Sequence, residues 1–258
     1  MTDGSSSSND SPRSPARWLR RAWTDRLDPH FYLGLHLTVG LVAAVLGIWL
    51  FGAVLDAVLA NERLVRWDIA TDAAIHSRMT MRDLRAADVM TQLGAPVTMA
   101  LLGLGGAVFL WHARRTIALV GWLAAFGGGL LIDMTLKAAV HRPRPTYGAA
   151  YLHGHTYSFP SGHSMGSIIG YGMLLYLVHH AWAGRTTVRG AAYVATVAII
   201  LLIGLSRILL GVHYPSDVLG GWAAGLAWMA VCMTGVSIAQ QRHADRMYEA
   251  VSSKGPPA

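Results

Sequence analysis

Three short clusters hold most of the residues that could do chemistry in this chain of 258 residues. The first is Lys137-Ala-Ala-Val-His-Arg-Pro-Arg144-Pro145. The second is Phe159-Pro160-Ser161-Gly162-His163-Ser164, and the third is Ser206-Arg207 followed by His213 and Asp217. Lys137, Arg144 and Arg207 supply cations, and the two guanidiniums can grip phosphate oxygens in pairs. Ser161-Gly162 reads as a loop turning into a helix, where backbone N–H groups, a hydroxyl and the positive dipole end favour an anion. Gly162 adds room for close backbone approach. His213 and Asp217 stand as a base and the carboxylate that orients it: one ring nitrogen is kept protonated so that the other presents a lone pair. Pro215 disfavours helical geometry at Tyr214, so the pair is expected across a helix start. His163 is left to protonate a leaving oxygen. A transferring phosphoryl group spreads negative charge over its oxygens, and positioning plus charge stabilisation do most of the catalysis. These residue types fit that need.

The elements that must bring the clusters together are apolar. Residues of the set AVILMFWYC make up 53% of the chain and charged residues 14%, against about 25% charged in soluble domains. Apolar blocks fall at roughly 32–56, 93–112, 116–136, 162–182, 190–210 and 217–239, each near the ~20 residues a spanning helix needs. The expected fold is all-α, a polytopic membrane protein with about six transmembrane helices in a bundle. A disordered chain and an ordinary soluble enzyme are both excluded by this composition. Trp111–Arg115 and the segment holding Arg185 and Arg189 are short connections, which imply antiparallel neighbours. The third and fifth spans then end on the face where the fourth and sixth begin, so all three clusters meet at one membrane surface. Gly166/Gly170 and Gly221/Gly225 are small-residue pairs suited to close helix packing.

Around this core, residues 1–30 read as a disordered basic tail, Ser-rich at first and then carrying Arg17, Arg20, Arg21 and Arg26 among Trp18 and Trp23. Residues 31–240 form the membrane domain. Within it, 57–92 alternates Glu62, Asp68, Asp72 and Asp83 with Leu64, Ile69 and Ile75. That pattern predicts amphipathic helices along the interface, either a solvated connector or a lid. Residues 241–258 form a short tail. Val58-Leu59-Ala60 could pass for a cleavage site, but the apolar run before it is too long for a signal peptide, so the first span is expected to remain. Arginines near both ends, at 114 and 115, and at 185 and 189 place both termini in the cytoplasm and the three clusters on the extracytoplasmic side of the cell (inner) membrane. The net charge of +7 is ascribed to this topology and to anionic membrane lipids, not to nucleic acid. Cys232 stands alone, so no intramolecular disulfide forms.

Each chemical residue also has a plainer reading. A single Lys or Arg near a helix end snorkels, a single His beside aromatics hydrogen-bonds at the interface, and Pro-Ser-Gly is a common helix entry. Convergence on one face favours the joint chemical reading. Asp133 lies one turn before Lys137 and is placed to pair with it. Arg142 reads as a contact to substrate phosphate or headgroup, or equally as a surface charge. Tyr147, Tyr151 and Tyr157 read as interfacial aromatics. His141, His153 and His155 could suggest zinc, but no thiolate or glutamate joins them, so no metal is assigned.

Lys137-x6-Arg144-Pro145, Pro160-Ser161-Gly162-His163 and Ser206-Arg207-x5-His213-x3-Asp217 together resemble the signature of the type 2 phosphatidic acid phosphatases, whose superfamily includes lipid phosphate and undecaprenyl pyrophosphate phosphatases. The specified positions agree in identity and order, and the six-span layout agrees as well. The resemblance covers roughly 93–235; the tail and the 57–92 connector are not part of the signature. It implies a phosphohistidine intermediate on His213, oriented by Asp217, with His163 as the acid. It implies Lys137, Arg144, Ser161, Gly162 and Arg207 as the phosphate pocket, with no metal or other cofactor. The implied substrate is a lipid phosphate or pyrophosphate: an isoprenoid pyrophosphate, phosphatidic acid or phosphatidylglycerophosphate. A phosphotransferase using the same phosphohistidine is the nearest alternative, and a non-catalytic lipid-binding or transport protein a further one. The vanadate-dependent haloperoxidases share the signature but are soluble, which the apolar blocks oppose. Oligomeric state is not legible.

Overall fold

The computed structural model describes residues 32–60, 62–148, 157–181 and 186–252. Regular structure among them is helical: α1 (Tyr32–Ala60), α2 (Glu62–His76), α3 (Met81–Thr91), a short 3-10 turn (Gln92–Gly94), α4 (Pro96–His112), α5 (Thr116–Val140), α6 (Gly162–Ala181), α7 (Thr186–Leu209) and α8 (Pro215–Ser252). The expected tail at 1–30 lies outside the described residues. The chain falls into two compact units, Met1–Val39 and Gly40–Ala258.

Among the described residues five stretches are long and apolar enough to cross a membrane: Leu37–Ala60, Met81–His112, Thr116–Val140, Thr186–Leu209 and Pro215–Met247. The helix predicted as the fourth span, α6, is not among them. Its first two turns carry His163, Ser164 and Ser167, and it packs against α4, α5, α7 and α8. Neighbouring helices enclose these polar groups, so α6 need not be apolar all round. The multi-span helical bundle expected from the sequence is thus present. Helix α8 runs as far as Ser252, beyond the apolar block that predicts its end near 239.

The core that fixes α5, α6 and α8 is built from Trp122, Ala125, Met165, Ile169, Met173, Ala224 and Cys232. Its close approach depends on Gly221. A Cβ there would lie 2.5 Å from the Ser161 carbonyl oxygen and 3.0 Å from Ser164 Cβ. Glycine therefore lets the start of α8 lie directly against the start of α6. That contact sets the second cluster beside the third.

The 57–92 segment departs from a solvated connector. Helix α2 buries Asp68 and Asp72 while Trp67 and Ile69 are exposed. Its inward face is acidic and its outward face partly apolar, the reverse of a soluble amphipathic helix and suited to a lipid-facing exterior. Helix α3 begins with a capping box between Thr80 and Asp83 and packs Leu84 and Ala87 against Leu210 and Val212. Both helices contact α7, so the segment lies on the side of the bundle that carries the third cluster.

Candidate active site

Helix α5 ends where His141 adopts a left-handed conformation with φ 53°, and Pro143 follows at a position that cannot continue a helix. The turn brings Arg142 and Arg144 back toward the bundle. Ser158 pins this loop, its N–H donating to the Arg142 carbonyl (2.9 Å) and its hydroxyl to the Pro143 carbonyl (3.0 Å). Lys137, on the last turn of α5, pairs with Asp133 one turn before, as the spacing predicts. It also donates to the Pro160 carbonyl at 2.9 Å. Gly162 opens α6 beside this pair; a Cβ there would lie 3.2 Å from Lys137 Nζ, so a larger residue would crowd the ammonium.

The Ser161 N–H is taken by the Asp217 carbonyl (2.9 Å). The Ser161 backbone N–H is therefore not free for an anion, whereas the first N–H groups of α6 have no intrahelical acceptor. The Ser161 hydroxyl caps the helix start, with Ser164 N 3.4 Å and Ser164 Oγ 3.0 Å away. His163, on the first turn of α6, lies near Gly94 of the 3-10 turn, where a Cβ would be 3.4 Å from its Cδ2.

His213 precedes α8, and Asp217 occupies the first turn of that helix, across the helix start as the proline predicts. Tyr214 N–H donates to Asp217 Oδ2 at 2.9 Å, an acidic side chain reaching back to the helix entry. His213 is 2% exposed and Asp217 0%. The His213 ring lies between unlike groups. Arg144 Nη1 lies 3.1 Å from Nε2, and Asp217 Oδ2 lies 3.5 Å from Nδ1. A guanidinium cannot accept a hydrogen bond, so Nε2 carries the lone pair and the proton sits on Nδ1, facing the carboxylate. Burial first, then the charges of Arg144, Arg207 and Lys137, hold this imidazole well below its ordinary value near 6.5. The ring is therefore neutral, with a lone pair at Nε2 and cations around it, and the Asp217 carboxylate stands 3.5 Å behind Nδ1, which has no hydrogen-bond partner among the described residues.

Arg207 closes the pocket from the last turn of α7. Its Nη1 donates to Thr91 Oγ1 at 2.7 Å, whereas its buried Nε has no hydrogen-bond partner among the described residues. All eight sequence-derived site residues (Lys137, Arg144, Ser161, Gly162, His163, Arg207, His213 and Asp217) thus gather at the adjoining ends of α5, α6, α7 and α8. Among the described residues no group of His, Cys, Asp or Glu is placed to hold a metal ion. His153 and His155 lie outside the described residues.

Arg142 is neither a surface charge nor a headgroup contact. It is 7% exposed. Nη1 donates to Asp217 Oδ1 (2.5 Å) and Ser216 Oγ (2.7 Å), and Nη2 donates to Asp68 Oδ2 (2.8 Å). The guanidinium also stacks 4.6 Å above the Tyr214 ring. Sequence reasoning missed Asp68, Thr91 and Ser216. Asp68, Asp72 and His76 do recur at helical i, i+4 spacing, a stripe readable before the structure but indistinguishable there from a solvated face.

Residues 116–240, from the start of α5 through most of α8, match the PAP2 superfamily. A phosphatidylglycerophosphatase B of Bacillus subtilis is 33% identical over 138 residues, 53% of this chain and 67% of that protein. The chain belongs to the PAP2 superfamily. A decaprenylphosphoryl-5-phosphoribose phosphatase of Mycobacterium tuberculosis is 33% identical over 173 residues, 64% of this chain and 88% of the relative. The crystal structure of a transmembrane PAP2-type phosphatidylglycerolphosphate phosphatase from Bacillus subtilis superposes with a TM-score of 0.66 at 28% identity, covering 72% of this chain and 94% of that one. This PAP2 protein is accordingly a multi-pass membrane phosphatase. Asp68 and Thr91 both lie before the matched residues 116–240.

Proposed function

We propose that this PAP2 phosphatase hydrolyses a lipid phosphate or lipid pyrophosphate at the extracytoplasmic membrane face through a phosphohistidine on His213. The observation that carries the reading is the His213 ring itself, with Nε2 3.1 Å from Arg144 and Nδ1 backed by Asp217 at 3.5 Å. In the first step Nε2 attacks phosphorus, an N–P bond forms and the bond to the leaving oxygen breaks. Lys137, Arg144 and Arg207 bear the charge on the phosphoryl oxygens, and Asp217 holds the Nδ1 proton in place. His163 gives a proton to the leaving oxygen, and the negative charge of the bound phosphate favours the protonated form it needs for this. Water then attacks phosphorus, His163 takes its proton, the N–P bond breaks and phosphate departs with His213 neutral again. The buried, unpartnered Arg207 Nε supports an oxyanion as its acceptor, since buried donors are rarely left unpaired. The names of the relatives put phosphatidylglycerophosphate and polyprenyl-linked phosphates alongside phosphatidic acid and isoprenoid pyrophosphates as substrates to test.

The test is phosphate release by detergent-purified protein in EDTA across that panel, with His213→Ala as control. Release insensitive to EDTA and lost in the variant is expected. Retained turnover in His213→Ala would remove His213 as the nucleophile, and lipid product without inorganic phosphate would turn the reading to a phosphotransferase.

A further inference from the structure

We infer that Asp68, on the interfacial helix α2, is a positioning residue for hydrolysis, acting through Arg142 on the Asp217 carboxylate that orients His213. The inference rests on His213 as the nucleophile. Asp68 is 0% exposed although Trp67 and Ile69 beside it are half exposed. A fully buried carboxylate is costly unless donors surround it. Asp68 has three: Arg142 Nη2 at 2.8 Å, Ser216 Oγ at 2.5 Å and Ser216 N–H at 3.2 Å.

These bonds determine how Arg142 meets Asp217. With Nη2 held by Asp68, Arg142 presents Nη1 alone, and Nη1 binds Oδ1. Oδ2 is left to accept from the Tyr214 N–H and to stand 3.5 Å behind His213 Nδ1. Freed from Asp68, the guanidinium could take both Asp217 oxygens in the fork geometry arginine favours and draw Oδ2 away from the imidazole. Charge acts in the same direction. Asp68, Arg142 and Asp217 leave a single net negative charge behind His213, which otherwise faces Lys137, Arg144 and Arg207. When Nε2 bonds to phosphorus the ring, still carrying its Nδ1 proton, becomes cationic, and that net charge stabilises it. Without Asp68 the group behind His213 is neutral. The same helix also holds the other end of the turn: His76 bonds Asp72 through Nδ1 and the Leu209 carbonyl, at 3.1 Å, through Nε2. Helix α2 therefore grips the 209–216 turn on both sides of the nucleophile. The phosphate-facing cations are not bonded to Asp68, so its influence falls on the chemical step.

The test compares wild type, Asp68→Asn, Ser216→Ala and the exposed-charge control Glu62→Gln. Asparagine keeps the shape but must turn an NH2 toward a donor and loses the charge. Asp68→Asn is expected to lower kcat about 10- to 100-fold and to slow phosphohistidine formation in a quenched single turnover. KM and inhibition by inorganic phosphate should stay within about threefold. Ser216→Ala, which removes one donor to Asp68, should lower kcat in the same direction by less, and Glu62→Gln should match wild type. A folded Asp68→Asn protein with wild-type kcat, or one whose loss lies in KM and phosphate inhibition, would overturn the inference. Should Asp68→Asn fail to fold, wild-type kcat in Ser216→Ala would overturn it. Turnover persisting in His213→Ala would instead defeat the underlying mechanism, so the two failures are distinguishable.

Discussion

His213 has opposite charges at its two nitrogens, and its behaviour with pH follows from that. Its depressed pKa comes first from burial and then from Arg144, Arg207 and Lys137, so in the folded enzyme without substrate the ring remains neutral as pH falls through its ordinary value near 6.5. The sign for stability is the opposite of that for a paired carboxylate. The unfolded chain binds a proton below about 6.5 that the folded site refuses, so His213 subtracts stability progressively as pH drops below that value. Spectra of 15N-histidine-labelled protein in micelles, assigned with His213→Ala, should show a neutral ring with its proton on Nδ1 as pH falls below the ordinary histidine value of 6.5. A midpoint at or above 6.5 would contradict this account of the site. Arg142 makes the complementary point. A basic residue inside a signature-like stretch looked like a phosphate or surface contact, yet it is committed to two buried carboxylates. Only its partners separate these readings, and those partners lie about 75 residues away in the chain.

At the scale of elements, the helix ends carry the site. Helix α8 opens with proline at its first position, which suits a fixed φ and a missing N–H, and with Asp217 bonded back to Tyr214. The capping that starts the helix therefore also orients the carboxylate behind His213. Helix α3 has a comparable double use through Thr91, whose hydroxyl accepts from Arg207. Thr91→Val keeps the volume but leaves a buried guanidinium N–H unpaired, at a cost of about 1–2 kcal/mol. Arg207 should then hold phosphate less well. Inhibition by inorganic phosphate should weaken roughly tenfold, and KM should rise more than kcat falls. Unchanged phosphate inhibition would show that Arg207 is held without Thr91. The end of α5 was legible from Pro143 and Pro145, and the start of α6 from Ser161-Gly162. The burial of α2 by its acidic face was not, because its Asp spacing equally suits a water-facing helix.

For the whole molecule, the bundle places the site at one end of α5, α6, α7 and α8 and the basic turn Arg114–Arg115 at the other end of α5. Arg242 and Arg246 lie on the far part of α8, distant from its catalytic start. Basic residues thus sit opposite the site, and the orientation proposed above requires them in the cytoplasm, as the positive-inside rule expects. A fluorescent-protein fusion to the C-terminus should be bright, and an alkaline phosphatase fusion there inactive. An active alkaline phosphatase fusion would invert the orientation and place the site in the cytoplasm.

The sequence by itself determined the class of the protein and which residues gather at its candidate site. Apolar blocks of spanning length can be satisfied only by helices in lipid, and alternating spans oblige the ends of α5 and α7 to share a face with the starts of α6 and α8. Local rules at Pro215 and Gly162 then set His213, Asp217 and Ser161 at helix boundaries. Only the tertiary structure decided what stands behind the pocket. Asp68, Thr91 and Ser216 act through single long-range contacts that no local periodicity encodes, and whether a carboxylate faces water or a buried guanidinium depends on what packs against its helix.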